Sequence, residues 1–236
     1  MISASILMTT VSGCAAPTED VGEDEAATTS LEETEPTSAA GPTGPTPAEV
    51  MAKLATCRKL NASRYAKDAG GAATIDVCGG PNGVVFFTAD MDIDCDGKQS
   101  AVCNRNTDAS YQPQTAGVDS KGKPLDAAAL PFIVVPGVSS RWSYKSAGIK
   151  MGTVAAVIYD GKIEYGIVGD VGPQAIIGEA SYAMAKRLGI NPHPSYGGTS
   201  SGVTYVIFPD AKVTKNEDHA QAVRLGVERA RHLVGE

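Results

Sequence analysis

Positive charge is missing from the first fifty residues of this 236-residue chain, which contain nine Asp and Glu residues and no Lys or Arg. All 20 Lys and Arg therefore fall in residues 51–236, where they face 18 acids and leave a net charge of +2. Since that segment has no basic stripe, we expect no binding to nucleic acid, whose phosphates are contacted by clustered Lys and Arg. The chain also lacks an apolar run long enough to span a bilayer.

Apolar residues are scarce between residues 15 and 46, where Glu, Thr, Pro, Ala and Gly dominate. This composition predicts a disordered, acidic linker, because too little apolar surface is available to offset the entropy of folding. The remaining residues, 47–236, are enough for one domain with a substantial core. We expect that domain to be a monomer that needs no cofactor.

Residues 1–14 are short and weakly apolar, and they end in Val11-Ser12-Gly13-Cys14. That ending is typical of a bacterial lipobox, so we expect an export signal with Cys14 as the lipidation site. An ordinary secretion signal with an incidental Cys14 is the alternative. Both interpretations place the protein outside the cell, either secreted or tethered to the outer face of the membrane.

Cysteine is infrequent, and no Cys-x-x-Cys pair with a nearby His indicates a zinc site. Apart from Cys14 there are four cysteines, an even number, which in an exported domain predicts two disulfides. Three pairings are possible for these residues: Cys57, Cys78, Cys95 and Cys103.

Short strand-like segments separated by glycine-rich connections predict a mainly β fold with peripheral helices, built on a barrel-like core. A capping box at Thr46 with Pro47 predicts a helix that continues to about Asp68. Two further helices are expected at 180–188 and 217–234, and Asp160-Gly161 predicts a tight hairpin. The predicted strands are 74–78, 84–89, 132–135, 153–159, 163–168 and 203–208.

Asp170 and Glu179 are the only acids between Gly166 and Met184, in a segment otherwise rich in glycine and apolar residues. Two carboxyl groups in such surroundings can hold different protonation states at one pH. Hydrolysis of a glycosidic bond uses such a pair, with one carboxyl as proton donor and the other as base or nucleophile. Two solvated residues, one in a turn and one at a helix start, are the competing interpretation.

Earlier in the chain, four aspartates occupy every second position of one acidic segment: Asp90, Asp92, Asp94 and Asp96. In an extended strand this spacing places all four carboxylates on one side. Because like charges repel, we expect calcium, a Lys or Arg side chain, or a cationic ligand opposite them. A solvated acidic turn would need none of these.

The segments 89–97, 131–136, 155–160, 165–170 and 178–181 together resemble the successive blocks of the fungal-type chitosanases, glycoside hydrolase family 75. The resemblance implies endo-acting hydrolysis of β-1,4 bonds in chitosan with inversion, and a six-stranded barrel related to the double-psi barrel of family 45. It also implies that Asp170 and Glu179 are catalytic. A non-catalytic cell-wall glycan-binding module is an alternative, as is a hydrolase of peptidoglycan or cellulose on the same scaffold.

We expect Glu179 to act as the acid and Asp170 as the base, with roles reversed if a helix dipole lowers the pKa of Glu179. Chitosan is cationic, so its binding site should offer carboxylates together with aromatic or hydroxyl surfaces. The residues expected to contact substrate are Asp90, Asp92, Asp94, Asp96, Tyr165, Tyr182 and Tyr196.

Overall fold

A computed structural model describes residues 44–236. The expected signal, Cys14 and nearly all of the expected linker lie outside these described residues. Three α-helices are described: α1 (Pro47–Lys53), α2 (Tyr182–Leu188) and α3 (His219–Val234). The strands are β1 (Arg58–Lys59), β2 (Cys78–Gly79), β3 (Val85–Asp94), β4 (Phe132–Pro136), β5 (Thr153–Tyr159), β6 (Lys162–Gly172), β7 (Glu179–Ser181) and β8 (Thr199–Lys212).

Six of the strands close into a barrel. Their order is β3-β7-β4-β6-β5-β8, and β8 pairs again with β3 to complete the circle. The short strands β1 and β2 extend from the edge of β3. The predicted class, mainly β with peripheral helices around a six-stranded barrel, is therefore confirmed.

The strands divide their buried side chains between two hydrophobic clusters. Alternate residues such as Phe87, Ile133 and Val157 belong to one cluster, whereas Val134 and Ala156 belong to another that includes residues of α1 and α3. Since a 16-residue helix can pack only against the outside of so small a barrel, the first cluster is the interior. Val134 accordingly lies on the outer face.

Several local predictions are confirmed by these elements. The Thr46 capping box is present, Gly189 ends α2 in a left-handed conformation, and β5 and β6 form the predicted hairpin. At its turn Asp160 and Gly161 both have positive φ, 46° and 69°, as a two-residue hairpin turn of this type requires.

The predicted length of the first helix is wrong, because α1 ends at Lys53 rather than near Asp68. Two long-range constraints explain the early end. Cys57 forms a disulfide with Cys78, and Arg58 and Lys59 pair with β2, so the chain must leave the helix. The second disulfide joins Cys95 to Cys103, which confirms the four candidate cysteines and selects one of the three pairings.

Strand β7 was not predicted. The segment from Ala180 was expected to be helical, but Glu179–Ser181 pairs with both β3 and β4, and α2 begins only at Tyr182, after the N-cap residue Ser181. Among residues 44–236, no helix combines the length and the apolar character needed to cross a membrane.

Candidate active site

A β-bulge in β6 determines where Asp170 points. Ile133 of β4 pairs with Val168, but the next residue, Val134, pairs with Asp170, so Gly169 is the extra residue. Without that extra residue the alternation of a strand would direct Asp170 into the barrel, on the side of Val168. The bulge thus brings the carboxyl group to the outer face.

Glu179 reaches the same face from the other side of β4. It pairs with Val134 across the β4–β7 ladder and with Asp92 across the β7–β3 ladder. Side chains of laterally paired residues project to the same face of a sheet. Asp170, Val134, Glu179 and Asp92 therefore form one row, in which two strand spacings of about 4.8 Å each separate Asp170 from Glu179.

Asp170 is held by the backbone of a neighbouring loop. Its Oδ1 accepts hydrogen bonds from the N–H groups of Ala116 and Val171, both at 2.7 Å, and the residue is only 7% exposed. Burial is the largest cause and raises the pKa of this carboxyl above its ordinary value, while the two N–H donors offset part of that rise. The bonds fix the orientation of Asp170 and stabilise its ionised form.

Glu179 has a different environment. Burial, followed by the charges of Asp92, Asp170, Asp96 and Asp90, raises its pKa to about 7. Glu179 lies on a strand three residues before α2 begins, so the predicted helix-start position was wrong. The condition under which a helix dipole would reverse the two roles is thus not met. The group is therefore suited to hold a proton near neutral pH.

Two glycines leave space for these carboxyl groups. A Cβ at Gly172 would lie 2.6 Å from Glu179 Oε2, and a Cβ at Gly178 would overlap Asp90 Oδ1. Gly178 also has φ of +123°, which strongly favours glycine. Larger residues at either position would displace an acidic side chain.

Asp94, the last residue of β3, and Asp96 after it continue the acidic face. Asp94, Asp96 and Asp170 bring carboxylate oxygens within 4.8 Å of one another. Burial is the first cause that raises the pKa of Asp96 to about 6 and that of Asp94 well above its ordinary value, and the charge of Asp170 adds to both shifts. Asp94 Oδ1 accepts from the N–H of Asp96, and Asp96 Oδ1 accepts from that of Gln112, each at 2.6 Å.

These groups line a cleft of about 610 Å³ on the outside of the barrel. Six acidic side chains and no basic one contribute to its lining among the described residues: Asp92, Asp94, Asp96, Asp108, Asp170 and Glu179. An open acidic groove with two carboxyl groups on opposite sides of one strand can admit a cationic chain and supply both a proton donor and a base.

The comparison with known proteins agrees with this geometry. A family profile described as fungal chitosanase of glycosyl hydrolase group 75 matches residues 91–229, more than half of the chain. The chain belongs to this family. The matched region includes Asp170 and Glu179 but not α1, β1 or β2.

Curated relatives carry matching names. Endo-chitosanase C of Aspergillus oryzae is 36% identical over 145 residues, which cover 58% of this chain and 35% of the relative. Endo-chitosanase of Aspergillus fumigatus is 30% identical over 166 residues, covering 64% of this chain and 70% of the relative. The match to the first relative thus spans about a third of its length.

The three tyrosines that were expected to contact substrate do not line the cleft of this protein. Tyr165 is only 6% exposed and packs its ring against Gly226 of α3, so its prediction as a stacking surface was wrong. Tyr182 and Tyr196 instead border a separate pocket of about 260 Å³. Tyr196 is 74% exposed and stacks on His193, beside cleft residues Ser195 and Gly197.

Sequence reasoning missed several residues of the site. Asp108 lines the cleft, Ala116 donates to Asp170, and Asp68 joins a second acidic cluster with Asp90 and Asp92. Asp108 and Ala116 lie in the long connection between β3 and β4, where no periodic pattern indicates their position. For Asp68, only its charge could have attracted attention.

Proposed function

We propose that this protein is an endo-acting hydrolase that cleaves β-1,4 glycosidic bonds in chitosan. The proposal rests on one observation above all: Asp170 and Glu179 flank Val134 on the floor of an acidic cleft. Membership of the family and the names of the relatives support the choice of substrate.

The two carboxyl groups are assigned to the roles of an inverting mechanism. Glu179, whose pKa is raised to about 7, donates its proton to the leaving oxygen as the bond to the anomeric carbon breaks. Asp170, oriented by Ala116 and Val171, takes a proton from the water that attacks the opposite face of that carbon. A separation of two strands leaves room for this water, as inverting enzymes require.

The charge of the cleft is suited to a polycation. Six carboxyl groups line it, and near neutral pH the ammonium groups of chitosan offer the complementary charge. Substrate binding is also expected to lower the pKa values of the buried aspartates, since a nearby ammonium favours the ionised carboxylate. Cellulose lacks the positive charge and should therefore bind less well.

The test is reducing-end release from chitosan, chitin, peptidoglycan and cellulose, measured for the wild type, Asp170→Asn and Glu179→Gln. We expect the wild type to cleave chitosan fastest and both variants to lose activity while retaining part of the substrate binding. Azide should restore turnover only in Asp170→Asn. This small anion is itself a nucleophile, so it can replace the water that Asp170 activates, but it cannot replace the proton donor that Glu179→Gln lacks.

The same experiment separates the alternatives. A non-catalytic glycan-binding module would bind chitosan without releasing reducing ends in any variant. Faster cleavage of peptidoglycan or cellulose would assign the site to another glycan. Unchanged activity in both variants would exclude the assigned pair.

We further propose that the protein acts outside the cell, as its two disulfides fit an oxidising compartment. Tethering through a lipid on Cys14 is tested by mass spectrometry of the native amino terminus. An unmodified chain that continues through Cys14 would exclude the anchor.

A further inference from the structure

A second acidic cluster lies beside the cleft, and it is formed by Asp68, Asp90 and Asp92. Each contributes a carboxylate oxygen, and these oxygens lie within 4.8 Å of one another. Asp92 is the ladder partner of Glu179 and lines the cleft. In the row of paired residues Glu179 lies between Asp170 and Asp92, so the cluster is at the Asp92 end of that row.

The position of Asp68 is fixed by the segment that leads into β7. Ala66 donates its backbone N–H to the carbonyl of Ala175 and accepts from Ile177. The chain from Tyr65 to Asp68 therefore runs beside residues 175–177, immediately before Glu179. Asp68 itself is exposed and is not part of the cleft lining, so a ligand that extends beyond the cleft next to Asp92 can reach its carboxyl group.

Asp90 indicates that the cluster is suited to bind a ligand. The residue is only 4% exposed, yet its buried Oδ1 has no hydrogen-bond partner among the described residues. A buried carboxyl group without a donor is costly, and the cost falls when a cation or hydrogen-bond donor joins it. Burial and then the charge of Asp92 raise the pKa of Asp90 to about 6, and the nearby charge of Lys67 offsets only part of that shift. Lys67 Nζ itself donates to the carbonyl of Ser200, 2.8 Å away.

An ammonium group fits this cluster better than a divalent cation does. It carries three N–H donors, one for each carboxyl group. Calcium takes six to eight oxygen ligands, and the charge of Lys67 beside Asp90 and Asp92 opposes a second, divalent charge. With all three acids ionised, three acids and one lysine leave an excess of two negative charges, which one bound ammonium group would reduce to one.

The order of the row indicates which sugar carries that ammonium. In an in-line displacement the base, the attacking water, the anomeric carbon and the leaving oxygen follow one another, and the acid contacts the leaving oxygen. The leaving sugar therefore lies beyond the acid. We propose that Asp68, Asp90 and Asp92 bind the ammonium of the glucosamine on the leaving side of the cleaved bond, an inference that rests on the function and roles proposed above.

The test uses partly N-acetylated chitosan, in which acetylation replaces the ammonium by a neutral amide. Each cleavage creates a new non-reducing end from the leaving sugar and a new reducing end from the sugar on the other side. We expect the wild type to create mostly glucosamine at the new non-reducing ends. Asp68→Asn and Asp92→Asn should lower that preference by about tenfold, the loss expected for one charge-assisted hydrogen bond. The composition of the new reducing ends should change little.

Asp68→Asn is the main variant, since an exposed side chain can be changed with little effect on folding, and a thermal melt checks this. Glu228→Gln, an exposed acid on α3, is the control that removes the same charge away from the cleft. It should leave both kinds of chain end unchanged.

Three outcomes would overturn the inference. Unchanged non-reducing ends in Asp68→Asn and Asp92→Asn would exclude the ammonium contact, and an equal change at both ends would indicate a general effect of charge. A rise in melting temperature with calcium chloride that disappears in Asp68→Asn would assign the cluster to a divalent ion. Absence of any new chain ends with the wild type would instead overturn the proposed function itself, and the inference with it.

Discussion

The two sides of the cleft surround their central carboxyl groups in different ways. On one side, burial raises the pKa of Asp170, but two backbone N–H groups point at this carboxyl group and offset part of the shift. On the other side, the charge of Glu179 is opposed by burial and by four neighbouring acids. Two chemically similar groups, both attached to strands that pair with β4, are thereby given different affinities for a proton. The difference comes from their neighbours rather than from the carboxyl groups themselves.

The largest effect should come from replacing the carboxyl group of Glu179 or of Asp170. A substrate with a better leaving group should then distinguish the two variants. Glu179→Gln and Asp170→Asn should each lower kcat on chitosan by about 10²–10⁴-fold, the usual contribution of a general acid or base. With an aryl chitooligosaccharide whose phenol needs no protonation, Glu179→Gln should recover most of its activity. Asp170→Asn should not, because it lacks the base. Equal recovery in both variants would contradict the assigned roles.

A smaller effect is expected when the space around Glu179 is reduced. In Gly172→Ala the added Cβ would press on Glu179 Oε2, so activity should fall by roughly tenfold or more while the melting temperature changes little. Gly169→Ala is the matched change on the same strand, where the Cβ would meet the ring of Phe132 at 2.6 Å. Overpacking there should lower stability by about 1–3 kcal/mol. A melting temperature lowered equally in both variants would contradict this distinction.

Much of the barrel could be predicted from the sequence, because several of its strands and turns are encoded by residues that are close together in the chain. Strand β5 and the Asp160-Gly161 hairpin are encoded by apolar runs and a two-residue turn. Strand β7, in contrast, has only three residues and exists because β3 and β4 are on either side of it. The bulge at Gly169 likewise depends on the register with β4. Both catalytic candidates could therefore be chosen from the sequence, but their common face could not.

The dependence of activity on pH should reveal the acidic neighbours of Glu179. Activity requires the protonated acid, so it should decline as pH rises through the pKa of Glu179, about 7. In Asp92→Asn one negative neighbour is lost, the ionised form of Glu179 is less opposed, and the decline should begin at a lower pH. Glu228→Gln should leave the profile of kcat against pH unchanged. A shift to higher pH in Asp92→Asn would contradict the proposed influence of Asp92.

Stability should depend on pH in the same direction. The pKa values of Asp94, Asp96 and Glu179 are all raised in the folded protein, so folding favours their protonated forms. The stability that they contribute is fully present below their ordinary pKa values near 4 and is lost as pH rises toward 6 to 7. Asp94→Asn should therefore raise the melting temperature at pH 7.5 and have little effect at pH 4. The same rise at both pH values would indicate a cause other than charge.

Removing the disulfides should have the smallest effect on activity, and it tests the Asp170 side of the cleft, because only one of the two disulfides adjoins the cleft. Cys95–Cys103 closes a loop next to Asp96, which belongs to the cluster around Asp170, whereas Cys57–Cys78 joins the chain after α1 to β2. Replacing either pair by serine should cost about 2–4 kcal/mol, with the larger cost for Cys57–Cys78 because it closes the longer loop. Activity of the folded protein should fall only without Cys95–Cys103, since its loop holds Asp96 in place. Chemical denaturation and kcat measured on both double variants would show whether the Asp170 side depends on this loop, and equal losses of activity would show that it does not.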